Sequence, residues 1–397
     1  MVNWIEKLTS AEVSRFLQEN AHLNEQELIL KHTTLFGIPA SLLARQLQGR
    51  RKAAEKLPQW YHTTGIVYPQ LQALEQCSSQ TTAQYKLNRI MHHLSGRQRA
   101  VDLTGGMGVD TYYLSTVFQQ VDYVEPDEEL LAISRHNHQV FGATNIRYYA
   151  LSAEVFLQQK AGGFDLIFAD PSRKDRHGHK VVSLQHCSPD ITTLHDKIFA
   201  ATSCFVLKAS PLLDISAALR QLPFTAEVNV VAVQNEVKEL LLIQKKDFTD
   251  QPTIRAVDLQ KNLCEEFVFT QHEEQQATVH FSAPLTFLYE PNRAILKAGA
   301  FRLVGSRFGL LKLHPHTHLY TSAALVPHFP GRIFSVEPFS ANHSLPARHA
   351  NIIVRNYPAT PTALARKFKL TEGGEDYLIA CTSAQGGKHL LLGRRIK

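Results

Sequence analysis

The spacing of apolar and polar positions divides the chain into stretches of different period. Over residues 1–94, apolar residues recur every three or four positions among Glu, Gln, Lys and Arg, as in Ala11-Glu-Val-Ser-Arg-Phe-Leu17 and Ala40-Ser-Leu-Leu-Ala-Arg-Gln-Leu47. That period belongs to helices with one buried face. It predicts a helical N-terminal region whose last piece is a capped helix over 79–90. From 95 to 247 short apolar runs alternate with helix-like segments, and strands are predicted at 101–103, 121–125, 145–151, 163–169 and 204–211. Strand and helix in alternation make a parallel, doubly wound sheet. Residues 228–233 and 239–243 instead read as two strands joined by a short polar turn.

Asp247-Phe-Thr-Asp-Gln-Pro252 breaks the pattern and marks a boundary. Beyond it, alternation over 266–269, 278–281, 286–289 and 310–313 predicts short strands around a helix at 293–300. The last unit reads strand, helix, strand, strand over 351–354, 362–370, 376–381 and 388–392, with Gly386-Gly387 as a hairpin turn.

The most informative segment is Asp102-Leu-Thr-Gly-Gly-Met-Gly-Val-Asp110, between the first strand of the sheet and the helix after it. Gly105, Gly106 and Gly108 let the backbone turn sharply and approach a ligand, and a helix starting near Val109 turns free N–H groups toward it. A dinucleotide fingerprint fails here. Counted from Gly106 the third glycine is due at Thr111, and counted from Gly105 the second is due at Met107. Glu125 ends the next strand, at the offset from which a carboxylate can take both hydroxyls of a ribose. The fourth strand runs into Asp170-Pro171-Ser172-Arg173, a polar loop where chemistry would sit. A glycine pair after a strand is ordinarily a turn, and Asp-Pro a loop starter. The ordered series points instead to a nucleotide-cofactor site.

Apolar-Asp-apolar-x-x-Gly-x-Gly-x-Asp, followed in order by Glu125 and Asp170-Pro171, resembles the motifs of class I S-adenosylmethionine-dependent methyltransferases. Glu290-Pro-Asn-Arg-Ala-Ile-Leu-Lys297-Ala-Gly, Phe329-Pro-Gly-Arg-Ile-Phe334 and the basic C-terminus extend the resemblance to bacterial members with a THUMP-like C-terminal domain. The resemblance implies an α/β fold with a Rossmann-like sheet. Its domains would be a helical region at 1–94, the methyltransferase domain at 95–247, a small ferredoxin-like α+β domain at 253–340 and a THUMP-like basic domain at 341–397. It implies S-adenosylmethionine as cofactor, held by Asp102, Thr104, Gly105, Gly106, Gly108, Glu125, Pro126, Ser152 and Ala153. The family usually has an acidic residue facing the adenine amine where Ser152 stands. The segment before the glycine loop often lines the pocket, which makes Thr82, Tyr85 and Lys86 candidates for its wall; a helix cap with an exposed lysine is the alternative.

In amine methylases with an Asp/Asn-Pro-Pro-aromatic loop, the side chain and a proline carbonyl accept hydrogens from the target NH2. The resemblance gives these tasks to Asp170 and Pro171, with Ser172 in place of the second proline and Arg173 in place of the aromatic. Arg173 also resembles the Asp-Pro-Pro-Arg loop of RNA pyrimidine C5 methyltransferases. Their nucleophilic cysteine would fall within Lys208-Ala209-Ser210-Pro211, where alanine stands, and Cys204 reads as a buried apolar residue. Methylation of an exocyclic amine of a base is what remains, and the resemblance extends to guanine-N2 and related RNA methylases, which implies guanine N2 or similar as the acceptor. Transfer from a sulfonium needs no metal. His314, His316 and His318 alternate, but Pro315 interrupts them and no acidic or cysteine partner is near.

Length and charge complete the picture. A chain of 397 residues has room for two or three domains. Its net charge is +6, and residues 341–397 account for all of it with nine Lys or Arg against three acids. Such a localised excess suits a polyanion, and the resemblance names RNA, tRNA or rRNA unspecified. Arg173, Lys174 and Arg176 could reach phosphates beside the acceptor. No apolar run is long enough to span a bilayer, the first residues lack a signal-peptide pattern, and the five cysteines contain no Cys-x-x-Cys pair. The expectation is a cytoplasmic protein with reduced thiols. Two other readings stay open: a protein or small-molecule methyltransferase, and a noncatalytic RNA-binding protein on the same fold.

Overall fold

A computed structural model describes residues 3–160, 162–172, 183–261, 263–339, 349–384 and 386–397. The N-terminal periodicity becomes helices α1 (Asn3–Leu8), α2 (Ala11–Glu19) and α3 (Glu25–Lys31), a small pair of strands β1 (Thr34–Leu35) and β2 (Ile38–Pro39), then α4 (Ala40–Lys56), α5 (Pro58–His62), α6 (Leu71–Gln76) and α7 (Gln80–Met91). Ser10, Asn24 and Ser79 each cap a helix by accepting a first-turn N–H. The apolar faces close around Leu28, Leu43 and Leu47 on one side and Leu57, Trp60 and Leu74 on the other.

Five parallel strands follow, β3 (Arg99–Asp102), β4 (Gln120–Val124), β5 (Ile146–Tyr149), β6 (Leu166–Ala169) and β7 (Cys204–Ala209), in the order β5-β4-β3-β6-β7. The helices α8 (Val109–Ser115), α9 (Glu128–Val140), α10 (Ala153–Gln159) and α11 (Ile191–Ala201) return the chain between them. Every residue of β6 and β7 is buried, so these strands read as continuous apolar runs without alternation. The strand order reverses at β3, and the carboxyl ends of β3 and β6 flank the switch point where ligands bind in such sheets. After α12 (Ile215–Gln221) come β8 (Thr225–Val233) and β9 (Glu236–Lys245). Gln234 and Asn235 turn the chain between them with φ of +50° and +61°. β9 runs antiparallel to β7, with Lys208 opposite Leu241.

The chain forms two compact units, residues 1–226 with 240–249, and 227–239 with 250–397. In the second, β8 pairs in parallel with β10 (Thr253–Leu259), which pairs antiparallel with β11 (Cys264–Thr270). Helices α13 (Gln271–Gln276), α14 (Arg293–Ala298), α15 (Leu303–Arg307) and α16 (Pro361–Phe368) accompany a further sheet of β12 (Phe287–Pro291), β13 (Leu311–His314), β14 (Thr317–Ser322), β15 (Gly331–Pro338), β16 (Asn351–Arg355), β17 (Asp376–Thr382) and β18 (Lys388–Arg395). Its order is β13-β14-β12-β15-β18-β17-β16, so β15 and β18 join the ferredoxin-like and THUMP-like segments in one sheet.

Two differences from the sequence reading have physical causes. Residues 278–281 make no strand: Thr278, His280 and Phe281 are exposed, and the segment's alternation faces no core, leaving an isolated bridge from Phe281 to Lys312. β10 escaped prediction because Arg255 and Asp258 interrupt its apolar pattern. Both are held inside this unit, Arg255 by Glu266 at 2.7 Å and Asp258 by the Asn235 amide at 2.8 Å. Among the described residues no helix is long and apolar enough to cross a membrane.

Candidate active site

The glycine loop leaves the carboxyl end of β3 and is shaped from beneath. Asp102 is 1% exposed and accepts from the Thr104 amide at 3.1 Å and from the Thr111 hydroxyl at 2.7 Å. Burial raises its carboxyl to about 7, against the lowering effect of those bonds. Asp102 thus ties β3 to the loop and to α8 from inside.

The three glycines do different work. A β-carbon on Gly105 would come within 2.2 Å of the Tyr123 ring, and one on Gly108 within 2.5 Å of His138 Nε2. These two positions are filled by the protein's own aromatic side chains. Gly106 (φ +54°) is the open one, with nothing nearer to its β-carbon position than the Thr104 carbonyl at 3.7 Å. Of the three, only Gly106 has open space where a side chain would stand. Its carbonyl accepts from Ser134 Oγ at 2.9 Å and from the Tyr123 hydroxyl, while His138 Nε2 donates to the Gly108 carbonyl at 2.8 Å. Burial holds His138 down at about 4, so the ring is a neutral donor.

Glu125 follows β4 and leans back on the same loop. Its Oε2 accepts from the Gly106 amide at 2.9 Å and its Oε1 from the Asp127 amide at 3.0 Å. Burial pushes its carboxyl above the usual range. Pro126 beside it is exposed, Ala153 is buried, and Ser152 caps α10 by accepting from the Val155 amide at 3.4 Å.

Asp170 stands one residue past β6. Its amide donates to Thr104 Oγ1 at 2.6 Å, which ties the Asp-Pro loop to the glycine loop. Its Oδ2 is paired with the ammonium of Lys208, from the adjacent strand β7. Pro171 is buried, and Ser172 bridges to Ser188 through backbone bonds of 2.8 and 3.1 Å. Arg173, Lys174 and Arg176 lie outside the described residues. Sequence reasoning passed over Lys208 as a site residue. Its signal was a lone cation in the otherwise apolar run Cys204-Phe-Val-Leu-Lys208-Ala.

The N-terminal region contributes from α7. Lys86 is 1% exposed, pairs with Asp110 Oδ1 at 3.2 Å and donates to Ser78 Oγ at 2.8 Å, which in turn donates to Asp110 Oδ2 at 2.6 Å. Thr82 and Tyr85 are buried on the same helix, so the exposed-lysine alternative does not hold.

Comparison with known proteins bears on this arrangement. Residues 287–330 match a ferredoxin-like domain family and residues 340–395 a THUMP domain-like family. The crystal structure of a candidate methyltransferase from Porphyromonas gingivalis W83 is 30% identical, with a TM-score of 0.83, over 97% of this chain and 98% of that chain. The chain belongs to the class I S-adenosylmethionine-dependent methyltransferases with a THUMP-like C-terminal domain. Two further structures resemble this methyltransferase over a smaller part. An rRNA methylase from Streptococcus thermophilus is 13% identical over 41% of this chain and 94% of that chain, with a TM-score of 0.31. A candidate methyltransferase from Streptococcus mutans, solved with SAH, is 14% identical over 41% and 96%, with a TM-score of 0.32. No curated protein matches in sequence.

S-adenosylmethionine is the cofactor of the methyltransferase, and the open face of Gly106 with the Glu125 carboxylate beside it is where the residues could hold it. Cys204 is buried in β7 with its thiol pushed up to about 12, which suits an inert core residue. Six of the nine basic residues of 341–397 fall into two groups. Arg355 binds Glu290 at 2.6 Å, Arg394 binds Asp376 at 3.3 Å, and Lys397 binds Glu265 at 2.5 Å. Arg366, Lys367 and Lys369, at the end of α16, are exposed.

Proposed function

We propose that the protein transfers the methyl group of S-adenosylmethionine to an exocyclic amine of a base in RNA. The observation that carries this reading is the position of Asp170, whose amide is held by Thr104 of the glycine loop at 2.6 Å. That bond supports the reading, because an acceptor clamp at Asp170 would stand next to a cofactor held on the glycine loop, as an in-line displacement requires. S-adenosylmethionine supplies an electrophilic methyl on a sulfonium. Gly106 and Glu125 would hold its nucleoside part, Asp102 and His138 keep the loop in shape, and Asp170 with the Pro171 carbonyl would accept the amine hydrogens so that the nitrogen lone pair faces the methyl. RNA as acceptor is supported by the THUMP-like segment and by Arg366, Lys367 and Lys369 standing together and exposed at the end of α16.

The test is transfer of labelled methyl from S-adenosylmethionine to RNA from cells lacking the gene, followed by mass spectrometry of the nucleosides. Label in an N-methylated base, lost with Asp170→Ala, is the expected outcome. Label confined to protein or small molecules would overturn the RNA reading. No transfer to any acceptor, with salt-dependent RNA binding intact, would leave a noncatalytic binding protein.

A further inference from the structure

We propose that Lys208 is a positioning residue of the transfer, which takes Oδ2 of Asp170 and so presents the other carboxylate oxygen to the acceptor amine. This rests on the reading of Asp170 as the acceptor clamp.

Packing does not account for a lysine here. All six residues of β7 are buried, and the Lys208 side chain is 5% exposed. An ammonium brought out of water costs several kcal/mol even when paired, and an apolar side chain of like volume often serves stability as well or better. A requirement set by the partner does account for it. Asp170 lies beyond the end of β6 with its side chain 29% exposed at the crevice, where an unrestrained carboxylate samples several rotamers. Transfer geometry tolerates errors of only about 0.5 Å. Thr104 fixes the Asp170 backbone and Lys208 fixes Oδ2, each from a separate element of the sheet's carboxyl end. Oδ1 has no hydrogen-bond partner among the described residues.

In the transfer the N–C bond forms as the S–C bond breaks, the sulfonium becomes a thioether, and the nitrogen is left as an ammonium that must lose a proton. Oδ1 accepts a hydrogen bond from that N–H and passes the proton to water. Lys208 keeps Oδ1 aimed throughout and touches no reacting atom.

Lys208→Met and Lys208→Gln in the full chain test this, Gln carrying the test where Met impairs folding. Expected are cofactor affinity within about twofold of the parent and KM for RNA within about threefold, but kcat lower by about 30-fold, with partial recovery in Lys208→Arg. In an Asp170→Asn background the same substitutions should cost less than about twofold further, because a residue acting through Asp170 has nothing left to act on. Crystals of Lys208→Met with S-adenosylhomocysteine should show the Asp170 carboxylate turned from its parental rotamer. Unchanged kcat, an equal loss in the Asp170→Asn background, or an unmoved carboxylate would each overturn the proposal. If the parent transfers no methyl to RNA, the proposed function fails, and the crystal orientation of Asp170 still decides the role of Lys208.

Discussion

The ring of Tyr123 occupies the space where Gly105 lacks a β-carbon, so that a methyl group there would meet the ring at 2.2 Å. Tyr123 is fully buried in β4 and cannot withdraw, because its hydroxyl is bonded to the Gly106 carbonyl. Gly105→Ala should therefore destabilise the fold by about 1–3 kcal/mol, the range for overpacking a core. Gly106→Ala meets open space but retains a left-handed φ of +54°, so about 1 kcal/mol is expected. Urea denaturation of both variants gives the comparison. A smaller loss for Gly105→Ala than for Gly106→Ala would refute the packing account.

Glu125 spans the loop and its own turn, accepting from Gly106 at 2.9 Å and Asp127 at 3.0 Å. Glu125→Ala removes the group that would take the ribose hydroxyls and releases one loop amide. Hydrogen bonds to a charged group contribute about 1.5–3 kcal/mol, so S-adenosylmethionine affinity should fall by about 10- to 100-fold in calorimetry. Asp127 is still able to cap α9 through its bond to the Leu130 amide, so the thermal midpoint should move little. Unchanged cofactor affinity would remove Glu125 from the site.

The alternation of strands β3–β7 with their helices was legible because it depends on local chain chemistry. Apolar runs, the glycines and the strand-end carboxylates each carry their meaning within a few residues. Lys208 was not legible as a partner of Asp170, since the two stand 38 positions apart in sequence and meet only when β6 and β7 align. Gly105 and Gly108 were read as glycines that let the backbone approach a ligand; the side chains that fill their β-carbon positions, Tyr123 and His138, arrive from β4 and α9 by packing and leave no local signal. The basic C-terminus read as one surplus for the same reason. Glu290 and Glu265, which hold Arg355 and Lys397, lie well before that segment in the sequence.

Asp102 and His138 predict opposite pH dependences. Asp102 titrates at about 7 in the fold against 3.8 unfolded, so between these values the folded chain keeps a proton that the unfolded chain has lost. Its contribution falls as pH rises from 4 to 7, by an amount on the order of 4 kcal/mol at most. His138 titrates at about 4 against 6.5, so the unfolded chain takes up a proton that the folded chain refuses, and stability falls as pH drops through that window. Relative to the parent, Asp102→Asn should gain stability between pH 4 and pH 8, and His138→Gln should gain between pH 6.5 and pH 4. Urea titrations at pH 4.5, 6 and 8 separate the two. Differences from the parent that do not vary with pH would contradict both assignments.

The division among the C-terminal cations gives a prediction about RNA binding. Each phosphate neutralised by Lys or Arg contributes about 0.7–0.9 to the slope of log affinity against log salt. Arg366, Lys367 and Lys369 are exposed together at the end of α16, whereas Arg355 and Lys397 spend their charge on Glu290 and Glu265. Replacing the first three with alanine should lower the slope by about 2 and weaken binding at low salt most. Replacing Arg355 and Lys397 should leave the slope nearly unchanged and instead cost stability, because Glu290 and Glu265 are buried and would lose an ion partner. Fluorescence anisotropy with an unmodified RNA transcript across a salt series, alongside denaturation of the same variants, measures both effects. If the first set leaves the slope unchanged, or the two sets shift it equally, the exposed end of α16 is not the distinctive RNA contact.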